Sequence, residues 1–150
     1  MRDDYEQYKI ECDRIREANQ QLLEDFAAWL QASGLSSKTI QKHTENIDFY
    51  INEFLLYEDT VEPQEGADSV DYFLGYWFVK KAMWASEASI RSNAASLKKF
   101  YKFLHERGMV SKEDLDSLTE TIKEEMPEWL ETLDRYDDPT ITDPEDIWGL

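Results

Sequence analysis

Residues 86–108, SEASIRSNAASLKKFYKFLHERG, decide the fold. Ile90, Ala94, Leu97, Tyr101 and Leu104 recur at steps of four and three, which puts them on one face of an α-helix. Ser86 is placed to cap its start and Gly108 to end it. Arg91, Lys98 and Lys102 follow at i, i+7 and i+11, so all three project from one side, next to the apolar stripe. Residues 80–107 hold seven basic side chains against only Glu87 and Glu106, a local charge of +5 in a chain whose net charge is −17. A basic helix in an acidic protein implies an anionic partner for that face.

The same construction precedes it at 34–55, GLSSKTIQKHTENIDFYINEFL. Ser36 is the expected N-cap, and Leu35 and Ile40 have the spacing of a hydrophobic staple. Ile40, His43, Ile47, Tyr50 or Ile51, and Phe54 then share a face, and the helix is expected to run to about Tyr57. Lys38 and Lys42 form an i, i+4 pair on its first turns. Ser36, Ser37, Thr39, Ser86, Ser89, Ser92 and Asn93 gather at the starts of these two helices. Small polar side chains and free N–H groups there are suited to phosphate, and neighbouring cations add affinity by displacing counterions.

The remaining segments are also helical. Tyr8, Cys12, Ile15, Asn19, Leu22, Phe26 and Leu30 predict one long helix over 4–32, stopped at Ser33-Gly34. Residues 58–68 read as a loop broken by Pro63 and Gly66. A third helix begins near Asp68 or Ser69, with Asp71 placed for a capping box. Val70, Phe73, Leu74, Trp77 and Phe78 make it apolar on most sides and therefore central. The fifth starts at Ser111, with Asp114 completing a capping-box pattern and Val110 stapled to Leu115. It continues past Leu118 and Ile122 toward Trp129 and Leu133, with a kink or break at Pro127. No strand-period segment or internal repeat is found. The expectation is an all-α, orthogonal bundle of about five helices in a single domain over 1–136. An acidic tail, 137–150, is expected to dock through Ile147 and Trp148.

With 41% apolar and 13% aromatic residues, the chain lacks the signature of disorder despite its charge. No apolar run approaches a membrane span and the first residues carry no signal region, so a cytoplasmic protein without membrane contact is expected. The single cysteine, Cys12, excludes an internal disulfide, and its helical spacing with Tyr8 and Ile15 predicts a buried apolar role. His43 and His105 lie too far apart in sequence to suggest a metal site, and no phosphate loop or nucleophile motif appears. His43 is expected as a hydrogen-bonded core side chain, and His105 as a cation near a helix C-terminus. Glu124, Glu125, Glu128 and Glu131 read as a solvated face. Neither an enzyme nor a cofactor is expected.

The two opening segments resemble the N-terminal core-binding (SAM-like) domain of tyrosine recombinases, or phage integrases. There a G-L-S-x-x-T-I helix start is followed about fifty residues on by an S-x-x-S/T-I-x-R…L-x-x-F/Y-x-x-F/L helix ending in Gly. The likeness covers about residues 20–118. It implies a small helical domain that clamps one side of double-stranded DNA, a part in DNA integration or recombination, and contacts from the helices that look like 36–57 and 86–107. Carried over to this sequence, Ser36, Lys38, Thr39 and Lys42 match the first contacting helix, and Ser89, Arg91, Ser92 and Lys98 the second. Lys102 extends that set by charge. The sequence departs from the family in having His43 where Tyr is usual. It also holds no Arg, Lys, His-x-x-Arg and Tyr catalytic set, so the implied role is a non-catalytic accessory or remnant.

The alternative is an acidic protein-interaction module that keeps the fold without binding DNA. The aromatic segment YFLGYWFVKKAMW, with Trp77, Trp84, Trp129 and Trp148, would then form a self-association or partner surface. The C-terminal region, at −11, would repel DNA, mimic it or cover the basic helix.

Overall fold

The structure, a computed structural model, describes residues 2–137, and these are helical with no strand. Helix α1 is Arg2–Ala32. Helix α2 is Ser37–Asp48 and continues directly as a π-helical stretch, Phe49–Phe54. Two short 3-10 turns, Pro63–Glu65 and Ala67–Ser69, lead into α3, which joins Val70–Tyr72, a second π-helical stretch Phe73–Trp77, and Phe78–Lys81. Helices α4, Glu87–Glu106, and α5, Lys112–Asp137, complete the described bundle. The expected seat of Ile147 and Trp148 lies outside the described residues.

The helix ends follow from local chemistry. Ser36 Oγ accepts from the Thr39 amide at 3.3 Å, and Ser111 Oγ from the Asp114 amide at 3.0 Å. Ser86 and Ser89 form a reciprocal capping box, each side chain accepting from the other's amide. Gly34 and Gly108 adopt φ of +89° and +75°. At each glycine two backbone amides turn back onto the last carbonyls: Gly34 to Gln31 and Leu35 to Leu30, Gly108 to His105 and Met109 to Leu104. Both are Schellman ends. Asp71 does not cap α3. Its carboxylate accepts from Trp129 Nε1 at 2.8 Å and ties α3 to α5 instead. Pro127 lies inside α5 without breaking it.

Packing centres on Phe26, whose ring meets those of Phe100 at 5.3 Å and Phe103 at 5.5 Å. Helix α2 runs antiparallel to α1, with Tyr8 bonding to the Leu56 carbonyl near one end and Asn19 to Asn52 at 2.8 Å further along. Cys12 is buried in a satellite cluster with Ile15 and Leu56, the apolar role expected of it. The loop before α3 is held rather than loose. Tyr50 donates to the Gly66 carbonyl at 2.6 Å, and Tyr101 to the Pro63 carbonyl at 2.7 Å. A Cβ on Gly66 would lie 2.7 Å from Leu55 Cδ1 and 2.9 Å from the Tyr101 hydroxyl, so any side chain there has to displace one of them. Burial raises both phenols well above their ordinary range, so both remain donors.

Candidate nucleic-acid interface

Helices α2 and α4 pack antiparallel through a small buried polar network. His43 Nδ1 lies 2.7 Å from Ser96 Oγ. Asn46 Nδ2 donates to Ser96 Oγ at 2.9 Å and to Ser92 Oγ at 3.0 Å. Ser96 in turn donates to the Ser92 carbonyl at 3.0 Å. The hydrogen-bonded core histidine expected at 43 is therefore present. Burial, and the charge of nearby Lys99, lower its pKa and favour the neutral ring.

This pairing fixes where the predicted contact residues stand. Because position 43 meets 96 while 46 meets 92, the start of α2 lies toward the later turns of α4. The capping serines of the two helices are thus at opposite ends of the contact, not side by side. Ser36 is occupied by its cap and by Thr39 Oγ1 at 3.0 Å. Ser89 is held in its capping box, and Ser92 in the α2–α4 network. These side chains position helices, and the charge is left to the lysines and Arg91.

Lys38, Lys42, Arg91, Lys98 and Lys102 are all exposed. Arg91 reaches Glu87 at 3.6 Å, a solvent-facing pair of little energetic weight. Lys38, Lys42, Lys98 and Lys102 form no ion pair among the described residues. Along α4 the solvent side runs Ala88, Arg91, Ala95, Lys98, Lys102, and its two carboxylates, Glu87 and Glu106, stand at the ends. From Arg91 to Lys102 the row covers about 16 Å at the helical rise per residue. That length exceeds the roughly 12 Å width of a DNA major groove. Ala95, between Arg91 and Lys98, is small and keeps the helix surface low at that point. Lys42 flanks the same seam from α2. Lys99, half-buried at the seam, was not singled out from the sequence as a contact residue. Only its tertiary position beside His43 distinguishes it from its exposed neighbour Lys98.

The acidic charge is concentrated on α5. A hydrogen bond with the Glu120 side chain, and then its like charge, raise the Glu124 carboxyl. A shallow cavity between the loop and α5 is lined by Asp68, Asp71 and Asp114. Among the described residues no group of three or more potential ligands could hold a metal ion. His105 donates from Nδ1 to the Val110 carbonyl at 2.8 Å, closing the turn after α4. No described helix is long and apolar enough to cross a membrane.

The aromatic surface expected in the alternative reading is partly core. Trp77 and Trp129 are buried at 8% and 2% exposure, whereas Trp84 is 59% exposed. Trp148 lies outside the described residues. Apolar spacing alone predicted the burial of Trp77 correctly, and the partner-surface reading overlooked it. The chain matches no protein-family model, no curated protein and no solved structure.

Proposed function

We propose that this chain is a non-catalytic, double-stranded-DNA-binding domain of the tyrosine-recombinase core-binding type, contacting DNA through the outer face of α2 and α4. The observation that carries the reading is the row Arg91, Lys98 and Lys102 with Lys38 and Lys42 beside it. All five are exposed, and four have no ion pair among the described residues. In a chain of net charge −17, cations left without an ion pair on one face present a local positive field to a polyanion. A duplex binds such a face by releasing counterions, and the lysines and arginine supply affinity without sequence preference.

The test is fluorescence anisotropy of the full chain with a random-sequence duplex. About five phosphate contacts predict a loss of roughly two to three orders of magnitude in affinity between 50 and 200 mM salt. Reversing Arg91, Lys98 and Lys102 to Glu abolishes binding. Each of the three sites is exposed and away from caps and core, where a single substitution changes stability by about 0.5 kcal/mol or less. A circular-dichroism melt checks that the variant is folded. Binding that ignores salt, or survives the triple reversal, overturns the proposal. The exposed Tyr57, Tyr72, Tyr76 and Trp84 favour a second reading, an acidic protein-interaction module of the same fold. Absence of duplex binding at any salt selects it.

A further inference from the structure

Four aromatic rings, of Phe54, Tyr57, Tyr72 and Trp77, line one pocket of about 140 Å³ between the end of α2, the loop that follows and α3. Phe54 and Tyr57 meet the Trp77 ring at 5.2 and 5.7 Å between centroids, and stand at 67° and 72° to it. Tyr72 lies 6.1 Å from Phe54. Rings set so steeply to one another form walls rather than a stack. Tyr57 and Tyr72 are exposed and Trp77 is buried, so the pocket opens past the tyrosines and has Trp77 on its inner side. Trp77 Nε1 is itself buried, so the indole offers the pocket carbon and no donor.

The charge at this opening is negative. Glu58 and Asp59 also line the pocket, both are exposed, and neither forms an ion pair among the described residues. One cation stands close by. Lys81 Nζ lies 5.4 Å from the Tyr57 ring centroid and 3.5 Å from its hydroxyl, although Lys81 does not line the pocket. Two carboxylates against one ammonium disfavour an anionic ligand, and a neutral ligand makes no use of them. Rings with carboxylates at their rim are suited to a cation.

We infer that this pocket binds a quaternary ammonium group. Ring faces attract a cation through their quadrupoles, and Trp does so most strongly. A fully methylated nitrogen needs no hydrogen-bond acceptor, which suits walls made of carbon. A bare ammonium would lose its bonds to water on entering. A cavity of about 140 Å³ is of the size that admits a benzene ring, and a trimethylammonium head is no bulkier. Glu58 and Asp59 supply the counter-charge from the rim without being buried. A free small molecule such as choline and a trimethylated lysine in a peptide share this head. No residue of α4 lines the pocket, and the inference does not depend on DNA binding.

The test is a nuclear magnetic resonance titration of the full chain. The probes are choline, its neutral isostere with carbon in place of nitrogen, and a short peptide carrying either trimethyl-lysine or unmodified lysine. Choline or the trimethyl-lysine peptide is expected to shift the Tyr57 and Tyr72 ring signals saturably, with the neutral isostere and the unmodified peptide about tenfold weaker. Tighter binding of the peptide than of choline assigns the head to a protein partner, and the reverse assigns it to a free metabolite. Tyr72→Leu, at an exposed position, keeps apolar bulk but removes a ring, and is expected to weaken binding by about three- to thirtyfold. Glu58→Gln with Asp59→Asn weakens it and reduces its dependence on salt. Equal binding of the neutral isostere overturns the inference, and this comparison needs no variant. So does the absence of a saturable shift with both cations, or undiminished binding by Tyr72→Leu.

Discussion

Ser96 is fully buried and has one hydroxyl, yet three groups converge on it. Its proton goes to the Ser92 carbonyl, so its lone pairs must accept from Asn46 and from His43. That count assigns the His43 proton to Nδ1. Ser96→Ala leaves the buried imidazole without its hydroxyl and takes one of the Asn46 amide's two partners, Ser92 Oγ remaining. We predict a loss of about 1 to 3 kcal/mol in urea unfolding, since an unpaired buried polar group costs its desolvation. His43 adds a pH dependence. Its folded pKa is depressed below the unfolded value of about 6.5, so below that pH the unfolded chain binds the proton more readily. Stability is therefore complete above about pH 6.5 and falls as the pH drops through the folded pKa. Urea midpoints at pH 7.5 and 5.5 read this drop, and it shrinks in His43→Gln. The sequence predicted a hydrogen-bonded core histidine, but its partner, fifty-three residues away, is fixed only by the packing of α2 on α4.

Helix limits were legible wherever the signal is local. Ser36, Ser86 and Ser111 cap as serines do, and Gly34 and Gly108 supply the left-handed conformations. The two π-helical turns were not. A widened turn puts adjacent residues on the same face, and this is why spacing could not choose between Tyr50 and Ile51: both are fully buried. In α3 the pairs Phe73–Leu74 and Trp77–Phe78 are likewise buried together, which the sequence presented only as a helix apolar on most sides. Asp71 was misassigned for a related reason. Its position suits a capping box, but its partner Trp129 comes from a helix 58 residues away. The seam it closes leaves no room at Gly75, where a Cβ would sit 2.7 Å from Trp129 Cδ1. Gly75→Ala gains helix propensity yet overpacks this contact. We predict a net loss of about 1 to 3 kcal/mol, measured by thermal or urea unfolding.

At the scale of the whole molecule the governing feature is an uneven charge. The bundle carries its clearest positive balance on α4 and its greatest acidic excess on α5, whose Leu118, Ile122, Trp129 and Leu133 are part of the core. Helix α5 therefore belongs to the bundle and is no removable tail. The all-helical class could be read from periodicity because each helix buries one apolar face. The basic row could be read because i, i+7 and i+11 spacing fixes a shared side. The serine hydroxyls of Ser36, Ser89 and Ser92 are held in caps and in the α2–α4 seam, which fixes their positions, and their expected contact with phosphate belongs to the proposal together with the lysines and Arg91.

The salt dependence of duplex binding tests this most directly, compared between the unaltered chain and the Arg91→Glu, Lys98→Glu, Lys102→Glu variant. Measurable affinity is expected at 50 mM salt, falling by roughly two to three orders of magnitude at 200 mM, with none in the variant. Equal binding by both proteins, or affinity indifferent to salt, contradicts DNA binding through this face.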